Sequence, residues 1–332
     1  MINDNISGNH EIGFISYDRA FEMVKEDINK ALSSAPVIIR KYTEHLLASS
    51  GKFIRAVSLL TCAQNKEDLI HTNAVKFAAA IEIMHLATLV HDDVIDDAGL
   101  RRGKATLQKK FGKRTAVICG DYLFCIAMKI AASVSNREDY IKINMPDYMG
   151  RVCLGELNQH INNGYLDLSV YRYLKIISGK TAALFEASFC AGAVVGENTG
   201  DAPKDDKVIR EYMKLGRYIG MIFQMQDDCM DFEKTEDVAK KPVQSDFEQG
   251  VITLPLIYAF KTLNGLKEKA EANGLSRTEI NEAVAKTGGI NYTRMIARRY
   301  YSKASKIIEQ LELTQDKRSR LLAVLEKAYG LV

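Results

Sequence analysis

Three features that often organise a chain of this size are missing from its 332 residues. No two of the six cysteines (Cys62, Cys119, Cys125, Cys153, Cys190 and Cys229) stand at C-x-x-C spacing, and none has histidines at zinc-finger spacing. A structural zinc site is therefore excluded, and reduced, mostly buried thiols are expected. Charge of one sign is missing too. Lys+Arg 45 against Asp+Glu 42 leaves +3, too balanced for a protein held to nucleic acid by phosphate neutralisation. Long apolar runs are also absent. The longest, Phe77 to Val90, is interrupted by Glu82 and His85 and falls short of the ~20 residues of a membrane span, so it reads as a buried helix. The N-terminus, MINDNISGNHEIG, has no basic segment ahead of an apolar core; it does not read as a secretory signal, and a cytoplasmic protein is expected.

Strand-like alternation is wanting throughout. Apolar residues instead recur three and four apart near 15–32, 37–48, 53–64, 68–96, 114–133, 137–162, 168–198, 205–232, 254–264, 276–286, 290–311 and 316–329, which predicts helices. The five prolines (Pro36, Pro146, Pro203, Pro242, Pro255) lie between these segments or in a first helical turn, where proline is tolerated. No Gly/Ser- or Pro-rich spacer divides the chain. The expected fold is all-α: a large single-domain helical bundle over 15–332 behind a flexible tail, 1–14.

What is present is acid in an awkward place. The pattern D-D-x-x-D occurs twice, as Asp92-Asp93-Val94-Ile95-Asp96 and Asp227-Asp228-Cys229-Met230-Asp231, each near the end of an apolar helix. On a helix the first and last aspartates of each set are four apart and share a face. Carboxylates there meet the negative end of the helix dipole. Two of them ~4 Å apart repel by about 1 kcal/mol in water and ~4 kcal/mol at an effective dielectric of 20. One such cluster reads equally well as a solvated acidic face. Two in matching positions call for cations, and carboxylate oxygens select Mg²⁺, with phosphate oxygens completing its shell. Neither copy has the glycine and distant glutamate of an EF-hand loop.

Basic side chains follow: Lys52 and Arg55 in SGKFIR, Arg101 and Arg102 after the first motif, Lys180 and Thr181 in ISGKTAALF, and Lys241 in AKKPVQSD. Arginine's planar fork suits phosphate. Taken singly each reads as a solvated side chain, and His85 and His91 as satisfied core histidines. SGKT is not the end of a P-loop, because the first glycine would fall at Leu174 and a helix precedes it.

Taken in order, these motifs resemble those of the trans-isoprenyl diphosphate synthases of the polyprenyl synthetase family, over about residues 15 to 330. SGKFIRA resembles the family's G-G-K-x-x-R-P; EIMHLATLVHDDVIDDAGLRRGKAT its first aspartate-rich region; GELNQ and SGKTAALF its middle motifs; FQMQDDCMDF, with KKP and SDFEQGVITLP after it, its second. The resemblance implies an isoprenoid synthase bundle around a deep central cavity. It also implies a homodimer, or a heterodimer with a dissimilar small subunit as in two-component heptaprenyl synthases. It implies three Mg²⁺ ions bound with diphosphate, held by Asp92, Asp96 and Asp227 with Asp93, Asp228 and Asp231 beside them. Arg101, Lys180, Thr181, Gln224 and Lys241 would bind the allylic diphosphate, farnesyl or geranylgeranyl; Lys52, Arg55, His85 and Arg102 would bind isopentenyl diphosphate. Arg101, Lys180 and Lys241 would share the leaving group's charge with the metal.

Three positions depart from the family pattern: Ser50 and Ala56 replace a glycine and a proline, and Val251 stands where a lysine is frequent, which removes one allylic-diphosphate contact. Short-chain members place a bulky aromatic four or five residues before the first aspartate. Here those positions are Thr88 and Ala87, with Met84 a turn further back at ~5.4 Å per turn, so Met84, Ala87 and Thr88 are the expected chain-length ruler and a C30 or longer all-trans product is implied. A short-chain synthase is the alternative product class. A terpene cyclase would need N/D-D-x-x-S/T-x-x-x-E as its second motif, which Asp227 to Asp231 does not fit. A His-Asp phosphohydrolase would leave the second motif unexplained, and a non-catalytic subunit would leave both intact motifs without a use.

Overall fold

A computed structural model describes residues 13–47, 51–101, 103–135, 143–197, 205–233 and 246–331. The helices are α1 (Tyr17–Ser33), α2 (Val37–Leu47), α3 (Ile54–Ala63), α4 (Thr72–Ile95), α5 (Leu107–Phe111), α6 (Lys113–Ala132), α7 (Met145–Ile161), α8 (Val170–Ile177), α9 (Ala183–Glu197), α10 (Asp206–Glu233), α11 (Leu254–Thr262), α12 (Leu266–Asn273), α13 (Arg277–Thr287), α14 (Gly289–Gln310) and α15 (Gln315–Tyr329). The all-α expectation holds. Start signals are conventional: Ser16, Thr106 and Ser169 accept from the backbone N–H three residues on, Ser276 and Glu279 form a capping box, and Pro255 sits in the first turn of α11.

Period-reading missed several features. Two-residue strands β1 (Phe14–Ile15) and β2 (Ile70–His71) pair antiparallel, so the helix expected from residue 68 starts at Thr72, with the His71 ring accepting from the Asn73 N–H. Phe14 thus belongs to an ordered pair; the rest of the expected tail lies outside the described residues but for Gly13. A second pair, β3 (Leu100–Arg101) with β4 (Lys104–Ala105), makes a hairpin after the first acidic motif. The helix expected over 168–198 is interrupted by a π-turn, Ser178–Ala182. The short helices α5 and α12 carry too few turns for their period to be read.

The chain divides into two compact units, Met1–Asn144 with Ala187–Met213 and Leu311–Val324, and Met145–Glu186 with Lys214–Gln310 and Leu325–Val332; the divisions in α9, α10 and α15 fall inside helices. In the first unit α4 is the central helix and packs against α6, α1 and α3. Gly120 lets α6 approach: a Cβ there would stand 2.3 Å from the His91 ring nitrogen. His91 Nε2 faces the Val117 carbonyl at 3.2 Å and the Asp121 carboxylate at 3.3 Å, as expected of a satisfied packing histidine. Both α4 and α6 are long and apolar enough to cross a membrane, a test core helices also pass; 61% of α4's most apolar window is buried within the protein, and 39% of α6's. Four cysteines are buried, while Cys125 and Cys153 are exposed.

Lys317 ties α15 to the end of α3. It is buried, its Nζ donates to the Cys62 and Gln64 carbonyls at 2.8 and 2.7 Å, and it lies over the Tyr212 ring. These carbonyls lie beyond the reach of α3's own amides. In the second unit α11 packs on α13 and α14 around Ile176, Ile177, Met225, Leu254 and Ile280. There α7 meets the π-turn glycine to glycine: a Cβ on Gly155 would stand 2.1 Å from the Lys180 backbone nitrogen.

Lys317→Met is expected to leave two buried carbonyls unmet and to cost about 2 kcal/mol in denaturant unfolding. Gly155→Ala is expected to lower the melting temperature more than Gly150→Ala does, since a Cβ at Gly150 meets nothing within 4 Å; equal melting temperatures would refute the close approach.

Candidate active site

The first acidic motif closes α4. Asp92 and Asp96 are half-buried and one turn apart, whereas Asp93 is buried. Asp93 Oδ1 accepts from Arg101 Nε at 2.7 Å. The hairpin brings the arginine back over the helix end. Its base is closed by the Thr106 hydroxyl and the Gln108 amide, both donating to the Ala98 carbonyl at 2.7 Å. Its far strand is held by His45, whose Nε2 lies 2.8 Å from the Ala105 carbonyl. Lys110 Nζ lies 3.5 Å from the other ring nitrogen, which must accept, so the ring proton sits on Nε2.

Lys52 is exposed just ahead of α3, and Phe53 after it takes a left-handed backbone conformation, φ 49°, that turns the chain into the helix. Arg55 is buried; burial pulls its guanidinium down to about 10, and Glu82 acts in the opposite direction. Glu82 also accepts the Ala56 N–H at 2.8 Å, a carboxylate at the positive end of α3. His85 lines a cavity of about 220 Å³ within the first unit, together with Phe53, Glu82, Leu89, Asp93 and Arg101. At 100° per residue, the α4 positions on this cavity form one face, and Met84, Ala87 and Thr88 lie on the opposite one. Met84 and Ala87 are 2% and 0% exposed; Thr88 is half-buried.

The second motif repeats the division of labour in the second unit. Asp227 is exposed and Asp231 half-buried, while Asp228 between them is buried. Asp228 accepts from the Tyr173 phenol at 2.5 Å and from Gln224 Nε2 at 2.8 Å. Burial pushes its carboxyl up to about 7, opposed by these two donors. Gln224 in turn accepts from the Thr181 hydroxyl at 2.5 Å. Thr181 belongs to the π-turn with Lys180, whose Nζ pairs with Glu156 at 3.0 Å. π-Turns inside helices are frequent at functional sites.

Lys241 and Arg102 lie outside the described residues, as does Ser50. Among the described residues no three His, Cys, Asp or Glu side chains converge closely enough to hold an ion alone. Asp92, Asp96, Asp227 and Asp231 are the less buried aspartates of the two motifs, while Asp93 accepts from Arg101 and Asp228 from Tyr173 and Gln224.

Sequence reasoning did not single out Tyr173, Glu156, Glu82 or His45. Glu82 had a signal, a lone carboxylate inside an apolar stretch. Tyr173 had none, because its partner is 55 residues away.

A family model described as Polyprenyl synthetase matches residues 36–287. The chain is 34% identical to heptaprenyl diphosphate synthase component 2 of Geobacillus stearothermophilus, over 91% of this chain and 92% of the relative. It is 31% identical to the octaprenyl diphosphate synthase of Escherichia coli, over 88% and 89%. Among solved structures, the heptaprenyl diphosphate synthase of Staphylococcus aureus superposes with a TM-score of 0.84 at 31% identity, over 95% and 98% of the two chains. A polyprenyl synthase from Caulobacter crescentus, complexed with calcium and isoprenyl diphosphate, gives 0.82 at 28%, over 94% and 95%. With two aspartate motifs built alike and similarity of this extent, the chain belongs to the polyprenyl synthetase family and is a prenyltransferase.

Proposed function

We propose that this prenyltransferase condenses isopentenyl diphosphate head to tail with an allylic diphosphate, farnesyl or geranylgeranyl, in a Mg²⁺-dependent reaction. The product is an all-trans polyprenyl diphosphate of C30 or longer, a quinone side-chain precursor. The observation that carries the reading is the shared build of the two motifs, each with its middle aspartate buried and bonded and its outer pair one turn apart and less buried. The names of the similar proteins, heptaprenyl and octaprenyl diphosphate synthase, support the product class.

Asp92, Asp96, Asp227 and Asp231 would hold the metal, which supplies positive charge to the diphosphate oxygens as they leave. Asp93 aligns Arg101 on the allylic diphosphate, and Glu156 stands beside Lys180 for the same task. Thr181, Gln224 and Lys241 complete that set. The C1–O bond of the allylic substrate breaks and its electron pair leaves with the diphosphate. Lys52, Arg55, His85 and Arg102 hold isopentenyl diphosphate so that its double bond attacks the allylic C1. The proton then lost goes to the released diphosphate. The hydrocarbon tail grows along the face of α4 that carries Thr88, Ala87 and Met84.

A second reading is favoured by one observation, the name component 2 carried by the Geobacillus relative: the catalytic chain of a heterodimer with a dissimilar small subunit. A homodimer is the first reading. The purified chain incubated alone with farnesyl diphosphate, isopentenyl diphosphate and Mg²⁺ separates them, because a chain that needs a partner makes no long product.

Asp92→Ala and Asp227→Ala are each expected to lower kcat about 10²–10³-fold or more with the helical circular dichroism intact; near-normal Mg²⁺-dependent turnover in either would defeat the assignment. Ala87 is fully buried, and a phenylalanine there would overpack the core by about 1–3 kcal/mol. Thr88→Phe is the cleaner probe of the ruler. Its products, sized by chromatography, are expected to be shorter than wild type, and an unchanged distribution would remove Thr88 from the tunnel.

A further inference from the structure

Within the second unit, one unbroken chain of side-chain hydrogen bonds starts at a residue to which neither the family motifs nor the proposed reaction assigns a role. Tyr173, on α8, is 3% exposed. Its phenol donates to Asp228 Oδ2; Gln224 Nε2 donates to Asp228 Oδ1; the Thr181 hydroxyl donates to Gln224 Oε1. The chain thus begins on α8, crosses to α10 and ends on the π-turn that directly follows α8. Two backbone contacts brace the same turn. Gly155 of α7 excludes any Cβ against the Lys180 nitrogen, and a Cβ on Gly220 of α10 would stand 2.5 Å from Ala182 Cα.

We propose that Tyr173 is a positioning residue for prenyl transfer: through Asp228 and Gln224 it fixes Thr181 and the π-turn, so that the second aspartate motif and the turn carrying Lys180 are held as one rigid piece. The direction of the bonds requires this. Asp228 accepts at both oxygens, so Gln224 must present its amide nitrogen to the carboxylate and its carbonyl oxygen to Thr181. Without the phenol, Asp228 Oδ2 loses its buried donor, and the carboxylate is held from the Gln224 amide alone. Gln224 is then free to flip, and the Thr181 hydroxyl loses the acceptor that sets its direction.

The effect on turnover rests on the assignment of Asp227 and Asp231 to magnesium; the effect on the turn does not. Tyr173→Phe keeps the ring and removes only the hydroxyl. In the purified full chain without substrate or metal, amide hydrogen exchange over residues 178–184 is expected to quicken. With farnesyl and isopentenyl diphosphates, kcat is expected to fall about 10–100-fold and half-saturating Mg²⁺ to rise, at an unchanged KM for isopentenyl diphosphate. Gln224→Leu cuts the same chain in its middle, so its effect and that of Tyr173→Phe are expected not to add in the double variant. Unchanged exchange over 178–184 in Tyr173→Phe, or fully additive effects, would overturn the proposal. Faster exchange with unaltered turnover and Mg²⁺ dependence would overturn the role in catalysis while leaving the brace. Full activity of Asp227→Ala with the exchange result intact would count against the magnesium assignment alone. If Tyr173→Phe fails to fold, exchange over 178–184 in Gln224→Leu decides the matter.

Discussion

A carboxylate taken out of water is tolerable only where donors reach both its oxygens or a cation stands against it. Among the described residues three buried carboxylates bear that cost; besides Glu186 with Arg151, two lie in the motifs, Asp93 with Arg101 and Asp228 with Tyr173 and Gln224. Around these two residues the rest of each motif takes its orientation. A buried, bonded side chain in the middle of a five-residue run fixes the rotation of its helix end, which leaves the flanking aspartates outward. The repulsion among close carboxylates is thereby divided: in each motif one group is hydrogen-bonded inside, and the other two lie nearer the solvent.

The same economy governs the arginine and lysine side chains. Arg101 and Lys180 are not loose surface charges but are presented by a carboxylate, Asp93 for one and Glu156 for the other. Such pairs fix a direction at small net gain in stability. Because each lies between about a quarter and a third exposed, the cation keeps access to solvent while its swing is limited. His45 does the equivalent for backbone, pinning the strand that follows the first arginine pair.

The helices were legible because burial repeats at the helical period, as along α1, where Ala20, Met23, Val24, Ile28, Ala31 and Leu32 are buried; α4, apolar nearly all round, was legible from the length of its apolar stretch. The two motifs and the cations near them were legible because opposed charge after an apolar helix is costly and so conspicuous. Features made by contacts distant in sequence were not. The strand pair of Phe14 and Ile15 with Ile70 and His71 spans some fifty residues and leaves two residues on each side, too few for a period. The π-turn at Ser178–Ala182 packs against the glycine of α7, a contact that periodicity within one segment does not contain. Asp93 and Asp228 look identical to their neighbours in the sequence, and only burial separates them.

The notch at Gly120 that receives the His91 ring carries a further implication. It acts as a key that sets the angular phase of α4. The bearing of every side chain on that helix, from Met84, Ala87 and Thr88 to the three aspartates, is set by angle, at 100° per residue. With His91 held at the notch, an insertion or deletion between Thr88 and His91 would therefore act as a rotation, carrying Met84, Ala87 and Thr88 to another bearing relative to Asp92, Asp93 and Asp96 while leaving the helix intact. The length of α4 upstream of its key is thus a gear setting: whole turns nearly preserve the bearing, and single residues do not.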